Sequence, residues 1–111
     1  MGDGNLLAGI DPSASAELFE DLLTLPSVRI ERIVSTGQAS PPGFWYHQGW
    51  AEWVLVIAGS AAMQFEDEPE PRSLAQGDYF YIAANRRHRV AWTDAALPTV
   101  WLAVHIGEGK L

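Results

Sequence analysis

The sequence predicts an all-β domain, a sandwich or barrel, with one short helix at its N-terminal end. Three observations carry this reading. Roughly eight or nine short runs rich in β-branched and aromatic residues recur at close spacing, separated by Gly, Pro and Asp turns. At 111 residues the chain is long enough for one domain and too short for two ordinary ones. Its 48% hydrophobic content, with five tryptophans, calls for a packed core rather than disorder.

Taken in order, residues 1–27 read as a lead-in and helix and residues 28–111 as the barrel. Residues 1–12 carry Gly, Asp and Pro with one apolar pair, Leu6-Leu7. Ser13 or Ser15 can cap a helix over 16–23, because Leu18, Phe19, Leu22 and Leu23 share one face at helical spacing and Pro26 stops it. Residues 28–35 alternate apolar and charged side chains, the pattern of a half-buried strand with Arg29, Glu31 and Arg32 on a solvated face. A loop over 36–43 leads to a strand at 44–48, where period two puts Trp45 and His47 on one face and Tyr46 on the other. After a turn at 48–51, Glu52 opens the apolar run Trp53 to Ala58, ended by Gly59; apolar on both faces, this strand should be covered on both sides. Strands at 61–65, 72–74 and 79–83 follow, with an acidic hairpin tip at 66–71. The last two strands, 88–93 and 99–106, read as a hairpin around Ala96-Leu97.

The composition removes several function classes. Seven Lys and Arg against fourteen Asp and Glu give a net charge of -7, which disfavours nucleic acid and anionic membrane surfaces as partners. With no cysteine, disulfides, thiolate zinc, iron–sulfur clusters and cysteine nucleophiles are excluded. The first residues show neither a secretory signal nor a myristoylation pattern, and no apolar run is long enough to span a bilayer, so a cytoplasmic protein is expected. No nucleophile elbow, phosphate-binding glycine loop or pair of acids in apolar strands is present.

Chemistry concentrates in two places. His47 and Glu52 stand five residues apart across a glycine-bearing turn, and a carboxylate opening so apolar a run is costly to bury unless it is paired or binds a cation. Downstream, His88 lies eleven residues after Gly77. These spacings resemble a single-domain cupin of the conserved-barrel type, with WYxQ, EWV, HRVxWT and WLAVH segments that recur in a short subgroup. The family's first motif has two histidines one residue apart, then a glutamate, then a glycine seven residues on, which Glu52 and Gly59 match with His47 as the second histidine. Its second motif begins with a glycine and places a histidine eleven residues later, as Gly77 and His88 do. Trp45 stands at the first histidine, Ala39 at the opening glycine, Ala83 at the usual proline, Asn85 at the usual glycine and Trp92 at the asparagine.

The resemblance implies a jelly-roll β-barrel of two antiparallel sheets around a metal. It makes His47, Glu52 and His88 ligands of one divalent transition metal, and their donor types suit Fe, Mn, Zn, Ni or Cu with positions left open. A metal-free polar cluster is the alternative. In the expected final hairpin His105 falls opposite His88, with Cβ atoms about 4.5–5.5 Å apart, so it could replace the lost fourth ligand, orient another group, or serve the structure alone. Parity adds Trp92 and Trp101, and with Trp45, Met63 and Phe65 these would line an aromatic cavity for a small organic ligand. Arg86, Arg87 and Arg89 offer a carboxylate site at its rim or a solvated corner. The implied function is a metal-dependent enzyme on a small molecule, of the dioxygenase, isomerase, lyase or cyclase class. A non-catalytic binding module and a metal-free interaction domain are the alternatives, and a homodimer is the expected assembly.

Overall fold

The computed structural model describes residues 3–107, so Met1, Gly2 and the last four residues of the expected 28–111 domain lie outside the described residues. Eight strands form: β1 (Leu18–Leu25), β2 (Val28–Ser35), β3 (Ala51–Ala58), β4 (Ser60–Phe65), β5 (Arg72–Ala75), β6 (Tyr79–Ile82), β7 (His88–Thr93) and β8 (Thr99–Ile106). They build a five-stranded sheet in the order β1-β2-β8-β3-β6 and a three-stranded sheet in the order β5-β4-β7, with every named pair antiparallel. The core between them joins Val54, Val56, Phe80, Ile82, Trp101 and Ala103 of the larger sheet to Ala61, Met63, Phe65 and Leu74 of the smaller. This is the expected all-β jelly-roll barrel. Among the described residues no helix is long and apolar enough to cross a membrane.

The expected N-terminal helix does not form. Leu18–Leu25 is a strand laid along the free edge of β2, in a register that shifts between Asp21 and Leu23. That bulge explains the misleading spacing. An extra residue flips parity, so Leu18 and Leu23 share a face although five residues separate them. The ladder offered by β2 outweighs a weak local preference for helix.

Two other local expectations change. The strand expected at 44–48 reduces to a single bridge, Tyr46 with His88, closed by Tyr46 N to His88 O at 2.7 Å and His88 N to Tyr46 O at 3.2 Å. The last two strands are not a hairpin: β7 pairs with β4 in the smaller sheet, while β8 lies between β2 and β3 in the larger. Gly59 makes the sheet-to-sheet step from β3 to β4 at a φ of 86°, where a Cβ would lie 2.6 Å from the Thr99 backbone. Only glycine fits both the torsion and the contact.

Strand β2 is the inverse of the solvated-face reading. Its register with β8 puts Arg29, Glu31 and Ile33 on the same side as His105, Ala103 and Trp101, facing the interior. Val28 and Ile30 point outward. Arg29 and Glu31 serve the inside of the barrel, whereas Arg32 keeps the outer face, paired with Glu20 and bonded to the Leu6 and Ala8 carbonyls.

Candidate functional site

One mouth of the barrel opens into a cavity of about 500 Å³ between the sheets, lined by residues of β2, β3, β7 and β8 and by the 44–50 loop. Such a volume suits a small organic molecule. The Tyr46 bridge fixes what the loop presents. Directly bridged residues share a face, so Tyr46 lies on the His88 side and its ring stacks on the imidazole, with centroids 5.5 Å apart. Gln48, two residues on, reaches Glu52: its amide donates to Glu52 Oε1 at 2.9 Å. His47 falls between them and is exposed at the rim.

The sequence-based ligand set is therefore not assembled. Among the described residues no three His, Asp or Glu side chains gather at metal-binding range, although His47, Glu52 and His88 all border the cavity. Tyr46 and Gln48 occupy the two inward positions, one residue apart, where the family pattern would place its histidine pair. A phenol and an amide are poor substitutes for imidazole ligands of a divalent metal. The described residues do not fit the metal centre that the resemblance implies.

What they form instead is a hydrogen-bonded cluster of acids, imidazoles and aromatics. His88 is only 4% exposed, and its Nδ1 sits 2.8 Å from the Arg86 carbonyl. A carbonyl only accepts, so Nδ1 carries the proton, and Nε2 has no hydrogen-bond partner among the described residues. Glu52, 9% exposed, accepts from Gln48 alone among the described residues. His105 sits in register with Glu52 on the neighbouring strand rather than with His88, because β8 belongs to the other sheet. Both its ring nitrogens are engaged: Trp50 Nε1 donates to Nδ1 at 2.8 Å, and Nε2 lies 2.8 Å from Glu31 Oε1. Indole N–H only donates, so Nε2 bears the His105 proton and gives it to Glu31. Glu31 is closed on its other oxygen by Arg29 Nη1 at 3.1 Å.

Glu17, just before β1, also faces the cavity. Burial pushes its carboxyl above the ordinary glutamate range; the Ser35 hydroxyl bound to it works against this, and the negative charge of Glu31 adds to it. Ser35 in turn accepts from Trp101 Nε1 at 3.0 Å. Burial likewise raises the Tyr46 phenol, helped by the negative charges of Glu17, Glu52 and Glu31.

The remaining expected residues divide. Trp45, Met63 and Trp101 line the cavity. Phe65 lies behind it in the core, edge-on to Phe80 and near His88. Trp92 is 44% exposed: a bulge sets Met63 opposite Val90 and Ala62 opposite Trp92, so parity slips at Ala91 and Val90 takes the inward place. The arginine corner is matched by the acidic tip, Arg86 with Asp67 and Glu68 at 3.0 Å each and Arg87 with Glu66 at 3.3 Å. Arg89 binds the Ser40 carbonyl at 2.7 Å. Sequence reasoning missed Glu17, Glu31, Tyr46, Gln48 and Trp50. The one available signal was Glu31-Arg32, where two adjacent charges break the alternation of the strand.

Residues 31–105, about two thirds of the chain, match the family model for the cupin domain. The chain is a cupin. It is similar over 96% of its length, with 50% identity and a TM-score of 0.93, to 98% of a "putative mannose-6-phosphate isomerase" from Ralstonia eutropha JMP134. A cupin superfamily protein of Desulfitobacterium hafniense DCB-2 shares the fold at 17% identity and a TM-score of 0.75, covering 96% of this cupin and 92% of that chain. An RmlC-like cupin of Methanocaldococcus jannaschii with a double-stranded β-helix fold does so at 20% identity and 0.68, covering 87% and 85%. No curated protein matches.

Proposed function

We propose that this cupin binds a small organic molecule in the barrel cavity and moves protons on it, as an isomerase does, without the family's metal centre. The observation that carries the reading is His88: almost fully buried, held at Nδ1 by a backbone carbonyl, and open at Nε2 toward the cavity. In the reaction, Nε2 takes a proton from a carbon next to a carbonyl, and the Arg86 carbonyl stabilises the imidazolium that forms. Glu17, kept protonated to higher pH by its burial, protonates the carbonyl oxygen. Return of that proton to the former carbonyl carbon, with the hydroxyl proton on the carbon first deprotonated passing to the Glu17 carboxylate, completes the isomerisation of a hydroxy-carbonyl compound and needs no oxidant. Glu52 holds a polar group of the ligand. The Ralstonia neighbour's description as an isomerase supports the reaction class.

The test is incorporation of solvent deuterium into a panel of small carbonyl compounds by metal-depleted protein, followed by NMR. Exchange lost in His88→Gln, with ligand binding kept, supports the reading. Binding without exchange would leave the non-catalytic module, and exchange that requires added metal would restore the metal-dependent enzyme.

We also propose that two copies pair through the outer face of the larger sheet, in the cytoplasm. A register row crosses all five strands there, Tyr81-Trp53-Val104-Ile30-Leu23, beside a second row of Ala51, Ile106, Val28 and Leu25. Five strands of two apolar rows make a patch of about 24 by 14 Å, so two such faces bury on the order of 600–700 Å², a small contact. A chain of net charge -7 meets its own copy best where it is uncharged, and these two rows are, up to the Arg32–Glu20 ion pair of the next row. Light scattering should give twice 12.2 kDa for the wild type and 12.2 kDa for Trp53→Glu. A monomeric wild type refutes the pairing.

A further inference from the structure

We infer that the molecule taken by this cavity carries a positive charge, as an alkylammonium or similar small organic cation. The inference rests on the reading that the cavity is a small-molecule site. Three carboxylates, Glu17, Glu31 and Glu52, face the cavity, and the single guanidinium among its lining residues is Arg29. That guanidinium is already shared between Glu31 and Asp21, at 3.1 and 3.3 Å. His105 is neutral, because Trp50 donates to its Nδ1. The charge left without a partner inside is therefore negative, and it centres on Glu52. Glu52 is more than nine-tenths buried, and its only bond among the described residues is from a neutral amide.

A buried carboxylate with no cationic partner is expensive to maintain, and a bound cation removes that cost. The walls fit the same occupant. Phe44, Trp45, Tyr46 and Trp50 bring aromatic faces to the mouth, and such faces attract cations, more strongly where water is excluded. Burial is the main cause of the raised Tyr46 phenol, and the negative charge of the neighbouring acids, Glu52 among them, adds to it. A phosphate dianion would meet repulsion from the unmatched acids and find no free guanidinium in the cavity. A sugar phosphate, named for the Ralstonia neighbour, is thus a poor occupant here. An amine-bearing carbonyl compound satisfies both the charge and the proposed proton transfer.

Titration of the whole chain with choline and with 3,3-dimethylbutan-1-ol, its uncharged isostere, isolates the charge. Quenching of the cavity tryptophans reads binding of each. Choline should bind about ten-fold tighter at low salt, the size of a partly desolvated cation–aromatic and ion-pair contact. Glu52→Gln should remove most of that preference while still binding the alcohol. The wild-type comparison of the two probes is decisive even if the variant does not fold. Equal or tighter binding of the alcohol overturns the charge inference and leaves the small-molecule cavity standing. Failure of both probes to bind overturns the charge inference and counts against the cavity reading as well.

Discussion

Replacing Tyr46 and Gln48 together by histidine should create a metal site that the wild type lacks. The structure puts these two positions on the inward face, one over His88 and the other bonded to Glu52. Two new imidazoles beside Glu52 and His88 supply four nitrogen and oxygen donors, the number a tetrahedral metal needs. Without metal the double variant loses the amide–carboxylate bond and the Tyr46–His88 stack, about 1–3 kcal/mol in all. With zinc at roughly 100 times its dissociation constant, the folded state regains about 2.7 kcal/mol. At about 4 °C per kcal/mol for a chain of this size, the melting temperature should rise by roughly 10 °C on adding zinc, against almost no change in the wild type. Cobalt substitution gives a second readout, a visible tetrahedral spectrum. The competing variant is Trp45→His, which completes the alternative pair with His47. If Trp45→His gains metal and the double variant does not, the assignment of the inward face is wrong.

Other consequences follow from single residues. Glu17 has a folded-state pKa above its unfolded value, so folding retains a proton that the unfolded chain releases; stability is fully present below the unfolded pKa and falls as pH rises through the folded one. Glu17→Gln should therefore melt higher than the wild type at pH 7, with the difference shrinking toward pH 4; a difference that does not depend on pH contradicts the burial argument. Gly59→Ala forces a β-carbon to 2.6 Å from Thr99 Cα and Oγ1 at a φ of 86°. The torsion alone costs about 1–2 kcal/mol, and the clash adds to it, so urea unfolding should show a loss of at least about 2 kcal/mol. A loss under 0.5 kcal/mol would mean that the β3–β4 step yields easily.

The barrel was legible because its signals are periodic and local. Strand β3 runs over Ala51–Ala58 and ends at Gly59, and its buried residues alternate along the strand, as do those of β6. Failures came where one residue changed parity. Bulges at Leu22 and Ala91 turned a strand into an apparent helix face and an exposed tryptophan into an apparent cavity wall. The site was legible in part. Glu52, His88 and His105 all reach the interior, but spacing alone could not separate His47 from Tyr46 and Gln48. That choice is set by the bridge between the loop and β7, a pairing between residues forty-two positions apart that no local pattern encodes. Charge misled in the same way. Arg29 and Glu31 look like solvent-facing residues, yet the outer side of their strand carries Val28 and Ile30.

The most direct test of the acid–base cavity is nitrogen-15 NMR of the histidine rings, which number three in this chain. His88 should be the tautomer protonated at Nδ1, with a bare Nε2, and His105 should be protonated at Nε2 with Nδ1 accepting from Trp50. Addition of a ligand that fills the cavity should move the His88 Nε2 signal and leave the His105 tautomer in place. A proton on His88 Nε2 in the free protein, with Nδ1 bare, would remove the proposed base and contradict the account.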